Sequence, residues 1–134
     1  MLNRRHVLVA AAGALAFSAY LGFGPLAHAT PQDYSQQAFT AAQAAGKPIL
    51  LHITAPWCPT CKAQKPILSK LEGTAKFKDL TAFDIDFDTS KALLRTLHVA
   101  QQSTLIVYKG GQEVGRSTGD TEPASIGSLL GKAL

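Results

Sequence analysis

The chain's two cysteines, Cys58 and Cys61, stand three positions apart, and Trp57 precedes the first. Two cysteines this close cannot build the disulfide framework of a small secreted domain, and they fall short of a four-cysteine zinc site. The chain must therefore fold around an apolar core, and 134 residues with 46% hydrophobic and 16% charged side chains suffice for one domain. The pair also sits at a junction. A short apolar run, Ile49-Leu50-Leu51-His52-Ile53, comes before it, and a helical pattern to about Leu71 comes after it. A thiolate at Cys58 would be favoured by the helix dipole and by unpaired backbone N–H groups. Cys61, one turn later, can resolve a mixed disulfide, and Pro59 suits a first helical turn because it has no N–H to leave unpaired. Metal capture is a rival reading that wants more ligands than two thiolates. A purely structural disulfide is another, but across this spacing it closes a trivial loop. Redox chemistry is the reading these residues favour.

Around the motif the periodicities spell one α/β domain. Apolar and small residues at helical spacing predict a helix over 34–45, stopped by Gly46-Lys47-Pro48. The run 49–53 reads as a strand buried on both faces, with His52 its one polar intruder. Pro66 falls inside the helix after the cysteines and should kink it. Residues 80–87 alternate apolar side chains with acids and predict a second strand, and 90–97 a short helix. Strands at 104–108 and 113–117 flank Gly110-Gly111 as a hairpin, and 121–134 closes the chain as a helix capped by Thr121. The order αβαβαββα predicts a central mixed four-stranded sheet flanked by helices on both faces.

Trp57-Cys58-Pro59-Thr60-Cys61-Lys62, with Pro66 at the kink position, resembles the thioredoxin family. The stretch from Thr104 to Gly111 is similar to the strand and hairpin after that family's cis-proline, and Gly119 matches its glycine before the last helix. The resemblance implies a thioredoxin fold and thiol–disulfide oxidoreductase activity, with Cys58 attacking and Cys61 resolving. It implies no cofactor and no metal. The Pro59-Thr60 pair is similar to that of thioredoxin-like reductants serving cytochrome c maturation, and only their reducing tendency is carried over.

Three positions depart from the family's pattern. Its buried acid beneath the second cysteine falls at His52, its buried lysine on the neighbouring strand falls at Asp84, and its cis-proline falls at Ser103, after Gln102. The first two look like one acid–base pair with exchanged signs. A buried imidazole needs a partner, and a His52–Asp84 pair beneath Cys61 could take and return the proton of the resolving thiol. A cis bond before a non-proline residue costs about 3–4 kcal/mol, so the Gln102–Ser103 bond is expected to be trans. That re-aims the Gln102 backbone, which in the family pairs with substrate as a short added strand. Trp57 reads as an apolar docking surface beside the thiol. His98 reads as a helix-end or surface contact, and Asp86 and Asp88 as a solvated face or turn.

Residues 1–29 read as an export signal. Asn3-Arg4-Arg5-His6 leads into an apolar run from Val7 to about Phe23, and Ala27-His28-Ala29 gives a small-x-small cleavage pattern. The paired arginines are twin-arginine-like, and an uncleaved anchor is the rival reading. The mature domain is then 30–134, in an oxidising compartment, the periplasm. Without Arg4 and Arg5, 11 basic residues face 9 acidic ones, scattered along the chain, which excludes a nucleic-acid footprint. The expected protein is a periplasmic disulfide reductase, a monomer that acts on disulfide-bearing client proteins and takes electrons from a membrane thiol transporter. A disulfide-introducing oxidase is the alternative within enzymes. A copper(I) carrier using Cys58, Cys61 and His52 is the alternative from another class.

Overall fold

A computed structural model describes residues 31–134, so the expected export segment at 1–29 lies outside the described residues. The elements run β1 (Gln32–Asp33), α1 (Gln36–Ala44), β2 (Pro48–Thr54), α2 (Pro59–Glu72), β3 (Thr81–Asp86), α3 (Lys91–Thr96), β4 (Thr104–Lys109), β5 (Gln112–Thr118) and α4 (Pro123–Gly131). They form one sheet in the order β1-β3-β2-β4-β5. β1, β3 and β2 are parallel, while β4 and β5 are each antiparallel to the strand before them in that order. The sheet is mixed, as expected, but has five strands rather than four. The extra strand is two exposed polar residues long, too short to show any alternation.

Alternation along β2 divides the core between two helix layers. Ile49, Leu51 and Ile53 face α1 and α3, where they pack with Phe39, Phe83, Ile85, Leu94 and Ile106. Leu50 faces the other way, among Leu68, Leu80, Ala82, Leu105, Ile126 and Leu130 beneath α2 and α4. Each Leu, Ile or Phe among these contributes roughly 1.5–3 kcal/mol by leaving water. His52 follows Leu50 by two positions, so it is delivered to the α2 face. Its parallel register partner on β3 is Asp84.

The last helix starts later than expected. Thr121 does not cap it; Pro123 occupies its first turn, and the Asp120 carboxylate accepts from Glu122 N and Ser125 Oγ at 2.9 and 2.6 Å. Gly115 on β5 lies where a Cβ would stand 2.9 Å from Leu129 Cδ1, so a larger residue would make the Leu129 and Lys132 side chains of this end of the chain shift.

Candidate active site

Cys58 is the N-cap of α2: its backbone is extended, at φ −83° and ψ 111°, and its Sγ accepts the Cys61 N–H at 3.0 Å. Pro59 begins the helix without an N–H, and Cys61 completes the first turn. The two cysteines are joined in a disulfide with Cα atoms 5.3 Å apart. In this oxidised form Cys58 is 1% exposed and Cys61 is fully buried. An open Cys58 is therefore not observed here, because Ala55 and Phe87 pack against the pair. Trp57 turns outward instead, 55% exposed, and its indole N–H donates to Asp88 Oδ2 at 2.7 Å. Asp88 thus orients the tryptophan, a role its position in an acidic alternation did not disclose. Asp86 builds the adjoining turn, its Oδ1 accepting from Asp88 N, Thr89 N and Thr89 Oγ1, bonds that hold its carboxyl below the usual range.

Beneath α2, His52 is 2% exposed and has a partner at each ring nitrogen. Nδ1 lies 3.0 Å from Asp84 Oδ1, and Nε2 lies 3.2 Å from Gln64 Oε1. Gln64 is fully buried, and its Nε2 donates to the carbonyls of Ser103 and Asp120 at 3.1 and 2.9 Å. His52 and Asp84 are therefore paired, but the ring's nitrogens are engaged by Asp84 and Gln64 and neither is bonded to Cys61. Direct hydrogen bonding to the resolving sulfur, the simplest form of the expected proton step, is not what this geometry offers.

No described peptide bond is cis, so Gln102–Ser103 is trans. Ser103 pays for this with a left-handed backbone, φ 56°, which costs a residue with a Cβ about 1 kcal/mol. Three bonds hold it there: its carbonyl accepts from Gln64 Nε2 and from Gly119 N, and its hydroxyl donates to Gln102 O at 2.6 Å. One lone pair of the Gln102 carbonyl, a group expected to be re-aimed by the trans bond, is thereby engaged by the Ser103 hydroxyl. His98, just past α3, is also left-handed (φ 54°), and its carbonyl accepts from Arg116.

A second ionisable group shares this region. Glu72, on the last turn of α2, is 4% exposed, and neither carboxyl oxygen has a partner among the described residues. Burial, reinforced by the nearby Asp84 charge, pushes its carboxyl up to about 7. His52, Asp84, Glu72, Lys65 and Ser69 line one cavity of about 260 Å³. Among the described residues no three His, Cys, Asp or Glu side chains converge as a metal site, and His52 is turned to Asp84 and Gln64.

A dithiol at a helix N-terminus on this sheet defines a thiol–disulfide oxidoreductase. The thioredoxin family model matches residues 30–132, and the chain belongs to the thioredoxin family. It is 34% identical to a thioredoxin of Chlamydia trachomatis over 101 residues, covering 75% of this chain and 96% of that one. It is also 34% identical to a thioredoxin of Mycobacterium tuberculosis over 87 residues, covering 65% and 74%. Among solved structures, Trxlp from Edwardsiella tarda superposes with a TM-score of 0.73 at 46% identity, covering 75% of this chain and 98% of that one.

Proposed function

We propose that the protein is a periplasmic disulfide reductase in which Cys58 is the nucleophile and Cys61 the resolving thiol. The observation that carries the direction is the surroundings of Cys58 Sγ: the Cys61 N–H is the one donor that reaches it among the described residues. Neither Pro59 nor Thr60 supplies the second donor, such as an imidazole, that would deepen thiolate stabilisation and make the pair a strong oxidant.

In the reaction the Cys58 thiolate attacks one sulfur of a client disulfide. That S–S bond breaks, and the departing client thiolate takes a proton. Cys61 then loses its proton and attacks Cys58 Sγ, forming the Cys58–Cys61 bond and releasing the second client thiolate, which is protonated from solvent. Two electrons pass from the dithiol to the client, and a membrane thiol transporter restores them. Neither ring nitrogen is bonded to Cys61, so the His52–Asp84 pair takes up the Cys61 proton by way of water. Asp84, whose side chain is 27% exposed on the cavity it shares with His52, opens the pair to solvent. Exposed Trp57 offers the client an apolar surface beside the sulfurs. The domain acts as a monomer, exported on the signal at 1–29.

Equilibration against glutathione tests the direction. The expected potential is on the order of −200 mV or below, whereas a value near about −120 mV would make the protein an oxidase.

A further inference from the structure

Gln64 stands one turn beyond Cys61 with no exposed surface, and both of its N–H donors are spent. Its orientation is set by its partners. The carbonyls of Ser103 and Asp120 only accept, so the NH₂ end must face them, and Oε1 is turned to His52 Nε2. The other ring nitrogen faces the Asp84 carboxylate, a second acceptor. Both ring hydrogen bonds are thus made only when both nitrogens carry hydrogen. Without the Nε2 hydrogen, two lone pairs face each other in a buried site, which is costly, and the amide is the group that can turn. It cannot turn without releasing the carbonyl of Ser103, a residue in a strained conformation that this bond helps to hold.

We propose that Gln64 is a positioning residue that transmits the protonation state of His52 to the Ser103 loop, so that the loop presented to a client strand changes with the proton of the resolving step. The proposal rests on the reductase reading for its purpose, though not for its geometry. Other charged groups near the ring are Asp84 from β3, and Lys65 and Glu72 from α2 across the shared cavity. β4 places Leu105 beside His52, and the Asp120 carboxylate is engaged by Glu122 N and Ser125 Oγ. Of the titratable groups among these, His52 is the one bonded to the Gln64 side chain.

The test is a pH titration of the full chain by NMR, following the His52 ring together with the backbone amides of Thr104 and Gly119, the latter bonded to Ser103 O. In the wild type both amides should shift at the midpoint of the ring. In Gln64→Met the ring should still titrate while the amides lose most of that shift, and in Glu72→Gln the coupled response should remain. Wild-type amides that ignore the ring, or amides that follow it undiminished in Gln64→Met, overturn the proposal. If Gln64→Met does not fold, His52→Gln decides. Loss of the amide response supports the coupling, and an unchanged response overturns it. None of these signals needs turnover. An active reductase with uncoupled amides overturns the role of Gln64 alone, and coupled amides in a protein that reduces nothing overturn the reductase reading alone.

Discussion

His52 and Asp84 are register partners on adjacent parallel strands, and their side chains meet at 3.0 Å under the helix that carries the dithiol. The carboxylate gives the buried imidazole a hydrogen-bond partner at Nδ1, while its own side chain, 27% exposed, keeps contact with solvent.

Removing the ring should therefore affect the second half of the reaction more than the first. His52→Ala is expected to slow release of the mixed disulfide several-fold more than it slows the initial attack by Cys58. Asp84→Asn should do the same more weakly, because an amide keeps a hydrogen-bond partner but drops the charge. Rapid-quench measurement of the two steps checks this. Equal slowing of both steps would reduce the pair to a structural contact.

Glu72 makes stability depend on pH. Its folded carboxyl lies at about 7 against an ordinary 4.5, so the folded state holds the proton more tightly than the unfolded chain. The stability this confers is full below about 4.5, declines as pH rises, and is gone above about 7. Glu72→Leu should remove this slope, which amounts to roughly 2 kcal/mol after allowing for solvent at the cavity mouth. Urea unfolding at pH 5 and pH 8 reads the difference. A wild-type midpoint no lower at pH 8 than the variant's, relative to pH 5, would contradict it.

Ser103→Pro is not a harmless return to the family's residue. Proline is locked near φ −65° and cannot occupy φ 56°, so the loop must rebuild and lose the bonds from Gln64 and Gly119. A loss of about 2 kcal/mol or more is expected in thermal unfolding. An unchanged Tm would show that the loop moves to the family's shape at no cost.

The legible parts of this molecule were those with a strong local pattern. The strand 49–53 and the helix opening at Cys58 followed from apolar runs and from proline chemistry, and the placement of Asp84 beside His52 came from the family resemblance. Gln64 and Glu72 were passed over because each reads alone as an ordinary polar helix residue. A signal was present: Cys61, Gln64, Leu68 and Glu72 recur at helical spacing on the buried face of α2, two of them polar where apolar residues belong. The left-handed Ser103 was beyond local reading, since the bonds that sustain it come from residues 39 and 16 positions away. Asp88 escaped for the same reason, its partner Trp57 being 31 positions distant.

The division of labour within the dithiol is the central claim, and trapping tests it most directly. Cys61→Ser leaves Cys58 to attack with nothing to resolve it, so it should accumulate mixed disulfides with client proteins, separable on a non-reducing gel and identified by mass spectrometry. Cys58→Ser, which retains only the buried sulfur of the helix's first turn, should trap few or none. Equal trapping by the two variants, or trapping chiefly by Cys58→Ser, would contradict the account.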